Sequence, residues 1–121
     1  RMVFNAVCGN DDDHLRNHAA YYDHGEAAWR LSPAFDVVPN PDGTPTHLAL
    51  RISRDEKGIS KDAVLQDSML FGFENREAAQ LHLRHLLERL RAGFDAAQEL
   101  LDPPLKKLMK KRMQGNLKLL K

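Results

Sequence analysis

The sequence lacks most of the features of secreted and membrane-embedded proteins. Among its 121 residues there is one cysteine, Cys8, so no disulfide can form within the chain. No apolar run approaches the roughly 20 residues that span a bilayer, and the first residues lack the order of a signal peptide. The net charge is only +1. These absences favour a cytoplasmic protein with a single compact domain.

The start of the chain also lacks an initiator methionine and a helix-capping residue. An apolar helical pattern begins directly after Arg1 and covers residues 2–8. Because a helix normally follows a capping residue, this start is typical of a segment of a longer polypeptide. We therefore expect a fragment of a longer protein, with residues 1–121 forming one domain.

Helical periodicity is the strongest pattern that is present. Apolar residues recur at spacings of three, four and seven across residues 75–101, which predicts one long helix with a leucine-rich face. The Asp-Pro-Pro sequence at 102–104 ends it, because proline lacks the backbone donor. A last helix then carries a stripe of leucine and methionine. A shorter helix is predicted at 60–71, from a serine cap to the glycine that follows.

Extended structure is predicted mainly in the first half of the chain. Residues 19–22 and 28–31 form a predicted hairpin, in which Tyr22 and Trp29 are expected to be buried. The proline-rich segment 32–45, which contains the turn signal Pro41-Asp42-Gly43, predicts an ordered loop. Residues 47–52 alternate polar and apolar and predict a third strand. The expected fold is mainly α with a small antiparallel β-hairpin.

A loop of three consecutive aspartates, Asp11-Asp12-Asp13, carries the clearest chemical signal. Adjacent carboxylates repel unless water or a cation separates them, and oxygen donors of Asp and Asn suit magnesium. Phosphoryl transfer needs one aspartate to orient the acceptor hydroxyl, an asparagine on the metal and a second metal aspartate. Asp12 and Asn17 have the spacing of the first two in protein kinases, and Asp36 follows the hairpin as the third does. The alternative to a kinase-type site is a loop whose aspartates are solvated or cap a helix.

Two sequence blocks point to a known family. They are FNAVCGNDDDHLRNH at residues 4–18 and WRLSPAFDVVP at residues 29–39. In this order and at this separation they closely resemble the HipA family of toxin serine/threonine kinases, and the resemblance continues more loosely to about Leu101. It implies that residues 1–121 are the helical C-terminal lobe of a protein-kinase-like fold. The N-terminal, ATP-covering lobe is absent from this stretch, so the fragment alone is expected to be inactive.

The resemblance also implies roles for individual residues. Asp12 is the expected catalytic aspartate, and Asn17 and Asp36 are the expected magnesium ligands. The remaining positions expected beside the nucleotide are His14, Leu15, Arg16 and Phe35. The implied cofactors are ATP and Mg²⁺. The implied partners are a HipB-like helix-turn-helix antitoxin, through which DNA is mainly contacted, and a protein substrate, for which the family suggests an aminoacyl-tRNA synthetase.

The distribution of charge leaves a second function open. All acidic residues lie within residues 1–102, whereas residues 103–121 contain only basic charged residues. The last helix could therefore contact DNA or an acidic partner, although a solvated helix face is the simpler interpretation.

Two histidine pairs have the spacing of helix neighbours. His14 and His18 are spaced like zinc-protease ligands, but Leu15 occupies the place of the glutamate that zinc hydrolysis requires. His82 and His85 are predicted to be partly exposed residues on the face of the long helix and not ligands.

Overall fold

A computed structural model describes residues 1–40, Gly43 and residues 45–121. This part of the chain is about 53% helical and contains a two-stranded antiparallel sheet, which confirms the predicted mainly α class with a small hairpin. Of the predicted turn at Pro41-Asp42-Gly43, Pro41 and Asp42 lie outside the described residues.

The regular elements follow one another along the chain with irregular segments between them. They are α1 at Met2–Cys8, β1 at Ala20–Asp23, β2 at Ala28–Leu31, α2 at Lys61–Gln66, α3 at Arg76–Ala97 and α4 at Pro103–Leu119. Short 3₁₀ turns occupy Leu15–Asn17, Ser68–Phe71 and Gln98–Leu100. The α-helical part of the predicted 60–71 helix is therefore shorter than expected, and the 3₁₀ turn completes it.

The helix boundaries follow from local capping. Ser60, Asn75 and Asp102 each accept a hydrogen bond from the backbone N–H three residues further on, at 3.1, 2.8 and 2.8 Å. These side chains satisfy donors that have no partner within the helix. Gly9 and Gly72 follow α1 and the Ser68–Phe71 turn in the left-handed conformation, with φ of 81° and 84°. The predicted helix starts at Ser60 and near Asn75 and the predicted stop at Gly72 are confirmed.

One apolar core joins the helices and the loop after the hairpin. α4 packs across α1, and α2 packs on the first half of α3. Asn116 of α4, which is completely buried, donates from Nδ2 to the Val7 carbonyl of α1 at 3.1 Å. The buried apolar residues are Val3, Ala6, Val7, Leu48, Ile52, Ile59, Ala63, Val64, Leu65, Ala79, Leu83, Met113 and Leu120.

The predicted third strand at residues 47–52 is not present. His47 forms only an isolated antiparallel bridge with Gly58, and the Ile52 N–H donates to the Glu56 carbonyl at 2.9 Å. The segment is thus a compact loop that turns back on itself. Leu48 and Ile52 are both buried, so the loop places two side chains in the core without forming a strand.

The hairpin is present, but the expected burial of its rings is wrong. Its strands pair Tyr22 with Trp29 and Ala20 with Leu31. The Tyr22 and Trp29 rings contact each other edge to face at 5.6 Å, yet they are 41% and 71% exposed. Within the described part of the chain, the extensive contacts of each strand are with the other strand. The Tyr22 ring also contacts the His24 ring edge to face at 4.9 Å, and the burial of both Tyr22 and Trp29 stays incomplete.

The long helix is buried along only part of its leucine face. Ala79 and Leu83 are buried, whereas Leu87 and Leu90 are half-buried. The helix is 22 residues long, and the core lies against its first half. His82 and His85 are exposed, as predicted. Among the described residues, no helix combines the length and the apolar character needed to cross a bilayer.

Cys8 at the end of α1 is a free, partly buried thiol. Its Sγ lies 3.6 Å from the Asn5 carbonyl, and burial raises the pKa of the thiol above its ordinary value. Because the pKa is higher in the folded state, the thiol stabilises the fold below its ordinary pKa. That contribution is lost as the pH rises through the raised value.

Candidate active site

The aspartate loop starts where α1 ends. Gly9 takes a left-handed conformation, and the backbone N–H groups of Gly9 and Asn10 both donate to the Asn5 carbonyl at 3.0 Å. A side chain at position 9 would be strained in this conformation, because residues with a Cβ rarely adopt it. The helix end therefore fixes the direction in which the aspartates leave α1.

Asp13 faces the interior and anchors the loop. Its side chain is only 3% exposed, and Oδ2 accepts a hydrogen bond from Asn5 Nδ2 at 3.2 Å. Its second oxygen, Oδ1, accepts from the Leu50 N–H at 3.3 Å. Asn10 Nδ2 donates to Asn5 Oδ1 at 3.3 Å, so the buried polar groups form one connected network. A buried carboxylate needs such donors, because a charged group that loses its water without gaining hydrogen bonds costs roughly several kcal/mol.

Asp11 ties the loop to the segment after the hairpin. Its Oδ2 accepts a hydrogen bond from Asn40 Nδ2 at 2.9 Å, and the Asn40 N–H donates to the Gly9 carbonyl at 2.8 Å. The Asp11 carbonyl accepts from the Ala49 N–H at 2.9 Å. Three segments that are distant in sequence are thus held together at Asp11.

Asp12 differs from both of its neighbours. It is exposed, and no residue in the described part of the chain donates a hydrogen bond to its carboxylate. Its backbone carbonyl accepts from Asn17 Nδ2 at 2.9 Å. Of the three aspartates, Asp12 is the one whose carboxylate has no donor among the described residues.

Asn17 is held with its amide in a defined orientation. It is 7% exposed and ends the 3₁₀ turn, where its N–H donates to the His14 carbonyl at 2.9 Å. Because Nδ2 is engaged by the Asp12 carbonyl, the amide oxygen is the atom that Asn17 can offer to a cation.

Asp36 lies in the segment that follows the second strand of the hairpin. It is exposed and has a positive φ of 52°, in the left-handed region. This conformation is unfavourable for residues with a Cβ, although aspartate tolerates it better than most. The strained backbone lies at a residue that was predicted to bind metal.

The three residues that the kinase spacing singles out line one cavity. Asp12, Asn17 and Asp36 share a cavity of about 310 Å³, whose other lining residues are Asn10, Asp11, Val38, Pro39 and Asn40. These three residues, which are distant in the sequence, therefore surround the same cavity.

The donors in this cavity fit a hard cation. Within the described ranges, no group of three or more His, Cys, Asp or Glu residues could enclose a metal ion. A site with one amide and one carboxylate oxygen leaves several coordination positions to water and phosphate. Magnesium is commonly bound in that way.

The other predicted site residues do not line this cavity. Leu15 and Arg16 are exposed, and His14 is partly buried with its Nδ1 atom unpartnered. None of these three is among the described residues that line the cavity. Phe35 lines a smaller cavity that also includes Asn17. The roles of these four residues stay predictions.

Sequence reasoning missed the residues that hold the loop in place. Asn5, Asn10 and Asn40 carry the hydrogen bonds that fix Asp11 and Asp13. One signal for Asn5 was present, because a polar residue within an apolar helical run must find a partner if it is buried. No comparable signal marks Asn40, whose partner precedes it by 29 positions.

The fold and the cavity define a mainly α domain in which an aspartate loop and the end of a hairpin meet around oxygen donors. Residues 1–100 match the family described as the HipA-like C-terminal domain. The chain belongs to this family, which confirms the resemblance seen in the sequence. The comparisons with curated proteins and with solved structures returned no match.

Proposed function

We propose that this domain supplies the metal-binding and phosphoryl-transfer residues of an ATP-dependent serine/threonine kinase of a toxin–antitoxin system. Membership of the HipA-like family supports a kinase-type toxin. The observation that carries the proposal is the cavity shared by Asp12, Asn17 and Asp36.

Asp12 is the proposed catalytic residue. Its carboxylate has no donor within the described residues and borders the cavity, so it can accept a hydrogen bond from a substrate hydroxyl. In that position it orients the hydroxyl oxygen and takes its proton as phosphoryl transfer proceeds.

Asn17 and Asp36 are the proposed magnesium ligands. A bound Mg²⁺ would neutralise charge on the phosphate groups of ATP. The residues of this chain keep the ligand oxygens in place. The Asn17 amide is fixed by its hydrogen bond to the Asp12 carbonyl, and the Asn5–Asp13 hydrogen bond holds the loop on α1. Ligands held in this way need little rearrangement when the ion binds.

The remaining predictions belong to the same proposal. We place His14, Leu15, Arg16 and Phe35 beside the nucleotide, and an N-terminal lobe that covers ATP outside residues 1–121. The proposed partners are a HipB-like helix-turn-helix antitoxin and a protein substrate such as an aminoacyl-tRNA synthetase. The description of the matched family as a C-terminal domain supports an arrangement with a preceding lobe.

The decisive experiment compares variants of the full-length polypeptide for phosphate transfer from ATP to protein and for MgATP affinity. Asp12→Asn should lower transfer by about 100-fold or more, the contribution of a general base, and leave MgATP affinity within about twofold. Asp36→Ala removes a metal ligand and should weaken MgATP binding by about tenfold or more. Transfer is measured with labelled ATP, and affinity by calorimetry.

Glu88→Gln is the matched control, because it removes one carboxylate charge from an exposed position on α3. It should leave both transfer and affinity unchanged. Wild-type transfer by the Asp12→Asn variant, or unchanged MgATP affinity in the Asp36→Ala variant, would contradict the assigned roles.

A further inference from the structure

α4 presents a row of lysines on one exposed side. Lys107, Lys111 and Lys118, here called the lysine stripe, are all exposed. Successive residues of an α-helix are rotated by about 100°, so these three positions lie within roughly 40° of one another around the axis. The same geometry puts the three Cα atoms along roughly 16 Å of helix.

The lysine stripe faces away from the body of the domain. Met113, Asn116 and Leu120 are buried, and they lie on the other side of α4, where the helix packs on α1. None of the stripe lysines forms an ion pair with a described residue, whereas Lys106 contacts Glu99 at 2.7 Å. No acidic residue follows Asp102 in the sequence. The stripe charges are therefore not neutralised within the described part of the chain.

We propose that the lysine stripe binds the phosphate backbone of duplex nucleic acid without reading its sequence. A linear array of cations suits a linear polyanion, and duplex DNA carries about one negative charge per 1.7 Å of its axis. Lysine is a point charge that contacts phosphate without fixing a bidentate geometry. Arg112, the arginine of α4, is 5% exposed, so the stripe lacks the planar, bidentate side chain that fixes the geometry of a base contact.

Other anionic partners fit the face less well. A membrane surface is bound by a helix whose apolar side inserts among lipids, but the apolar side of α4 is packed against α1. The exposed leucines of α4 lie outside the stripe, at roughly 80° or more from its centre around the helix axis; they are Leu105, Leu108 and Leu119. An acidic protein surface offers separate carboxylates, for which the bidentate fork of arginine is the usual partner. The row of lysines favours a continuous phosphate chain.

This binding goes beyond the proposed kinase function and is separable from it. The stripe lies on the side of α4 opposite Asn116, which contacts the helix that leads into the aspartate loop. Residues after position 100 also lie outside the family match. Because the net charge of the chain is only +1, the attraction must come from the local array.

The test measures binding of a labelled 20-base-pair DNA duplex to the 121-residue chain by fluorescence anisotropy. If three phosphates are neutralised, raising the salt from about 50 to about 200 mM should weaken binding roughly 40-fold. The triple variant Lys107→Gln/Lys111→Gln/Lys118→Gln should bind about tenfold or more weakly at the lower salt, with a flatter salt dependence. Glutamine keeps the helix propensity, and circular dichroism verifies the fold.

The matched control is Lys57→Gln/Arg89→Gln/Arg91→Gln, which removes the same charge from exposed positions on other parts of the chain. It should keep duplex affinity within about twofold of the parent chain. Equal losses in the two triple variants would refute the assignment to α4. Absence of duplex binding at low salt would also refute it, as would tighter binding of polyglutamate or of anionic lipid vesicles than of the duplex.

Discussion

At the scale of single residues, three identical side chains receive three different environments. Asp13 is buried between two donors, Asp11 is bound to Asn40, and Asp12 stays exposed and unbound. A carboxylate that is already saturated with protein donors is a poor acceptor for a ligand. Among the described residues, Asp12 is therefore the one of the three whose carboxylate has no donor, Asp11 accepts one hydrogen bond at Oδ2, and Asp13 accepts one at each oxygen.

Asp36 allows a test of backbone strain at the site. Glycine adopts its left-handed conformation at low cost, whereas alanine there is disfavoured by about 1 kcal/mol. Asp36→Gly should therefore be more stable than Asp36→Ala by about 1 kcal/mol, although both variants lose the carboxylate. Urea unfolding of the two variants measures the difference. Equal stability would show that the positive φ at Asp36 carries no strain.

At the scale of elements, the hairpin is stabilised mainly by its own contacts. Asp23 Oδ1 accepts from the Gly25 and Glu26 N–H groups at 3.0 and 3.3 Å, which shapes the turn. Arg30 on β2 forms ion pairs with Asp23 and Glu26. Exposed ion pairs contribute little, and a two-stranded hairpin is marginal in isolation. The turn geometry should therefore strongly influence how often the hairpin opens.

Ala27 is the position where that geometry can be improved. It has a positive φ of 49°, which favours glycine, whereas Ala28 pairs with Asp23 in the strand. Ala27→Gly should stabilise the hairpin by about 0.5–1 kcal/mol, and Ala28→Gly should destabilise it by a similar amount. Amide hydrogen exchange in β1 and β2 reports both changes. Slower exchange in the Ala28→Gly variant would contradict this account of the turn.

At the scale of the whole molecule, α4 closes the core that α1, α2 and α3 leave open. Leu120, just after the helix, is 1% exposed, and Leu83 and Leu87 of α3 line a cavity together with it. Its neighbour Leu119 is 37% exposed. Two adjacent leucines thus differ in how much they contribute to the attachment of α4.

This pair gives a matched test of the core. Leu120→Ala should lower the free energy of unfolding by about 2–5 kcal/mol, the range for fully buried leucines. Leu119→Ala should cost under about 1 kcal/mol, because little apolar area returns to water. The half-buried Leu87 and Leu90 should fall between these values. Chemical denaturation of each variant measures the free energy of unfolding. Similar losses of this free energy at positions 119 and 120 would contradict the packing of Leu120 in the core.

The sequence by itself determined the features that depend on near neighbours. The caps at Ser60, Asn75 and Asp102 bond to groups three residues away, so the helix starts could be predicted from short motifs. The left-handed stops at Gly9 and Gly72 are equally local. The spacing of motifs was also enough to identify the family.

Only the tertiary structure decided which groups are free and which surfaces are buried. Asp13 accepts a hydrogen bond from the Leu50 N–H, which is 37 positions away. Asn116 donates one to the Val7 carbonyl, which is 109 positions away. No local pattern encodes such contacts, because they depend on how segments pack after they form. The same packing leaves the Trp29 ring in water, buries one end of the α3 leucine face and directs the α4 lysines outward.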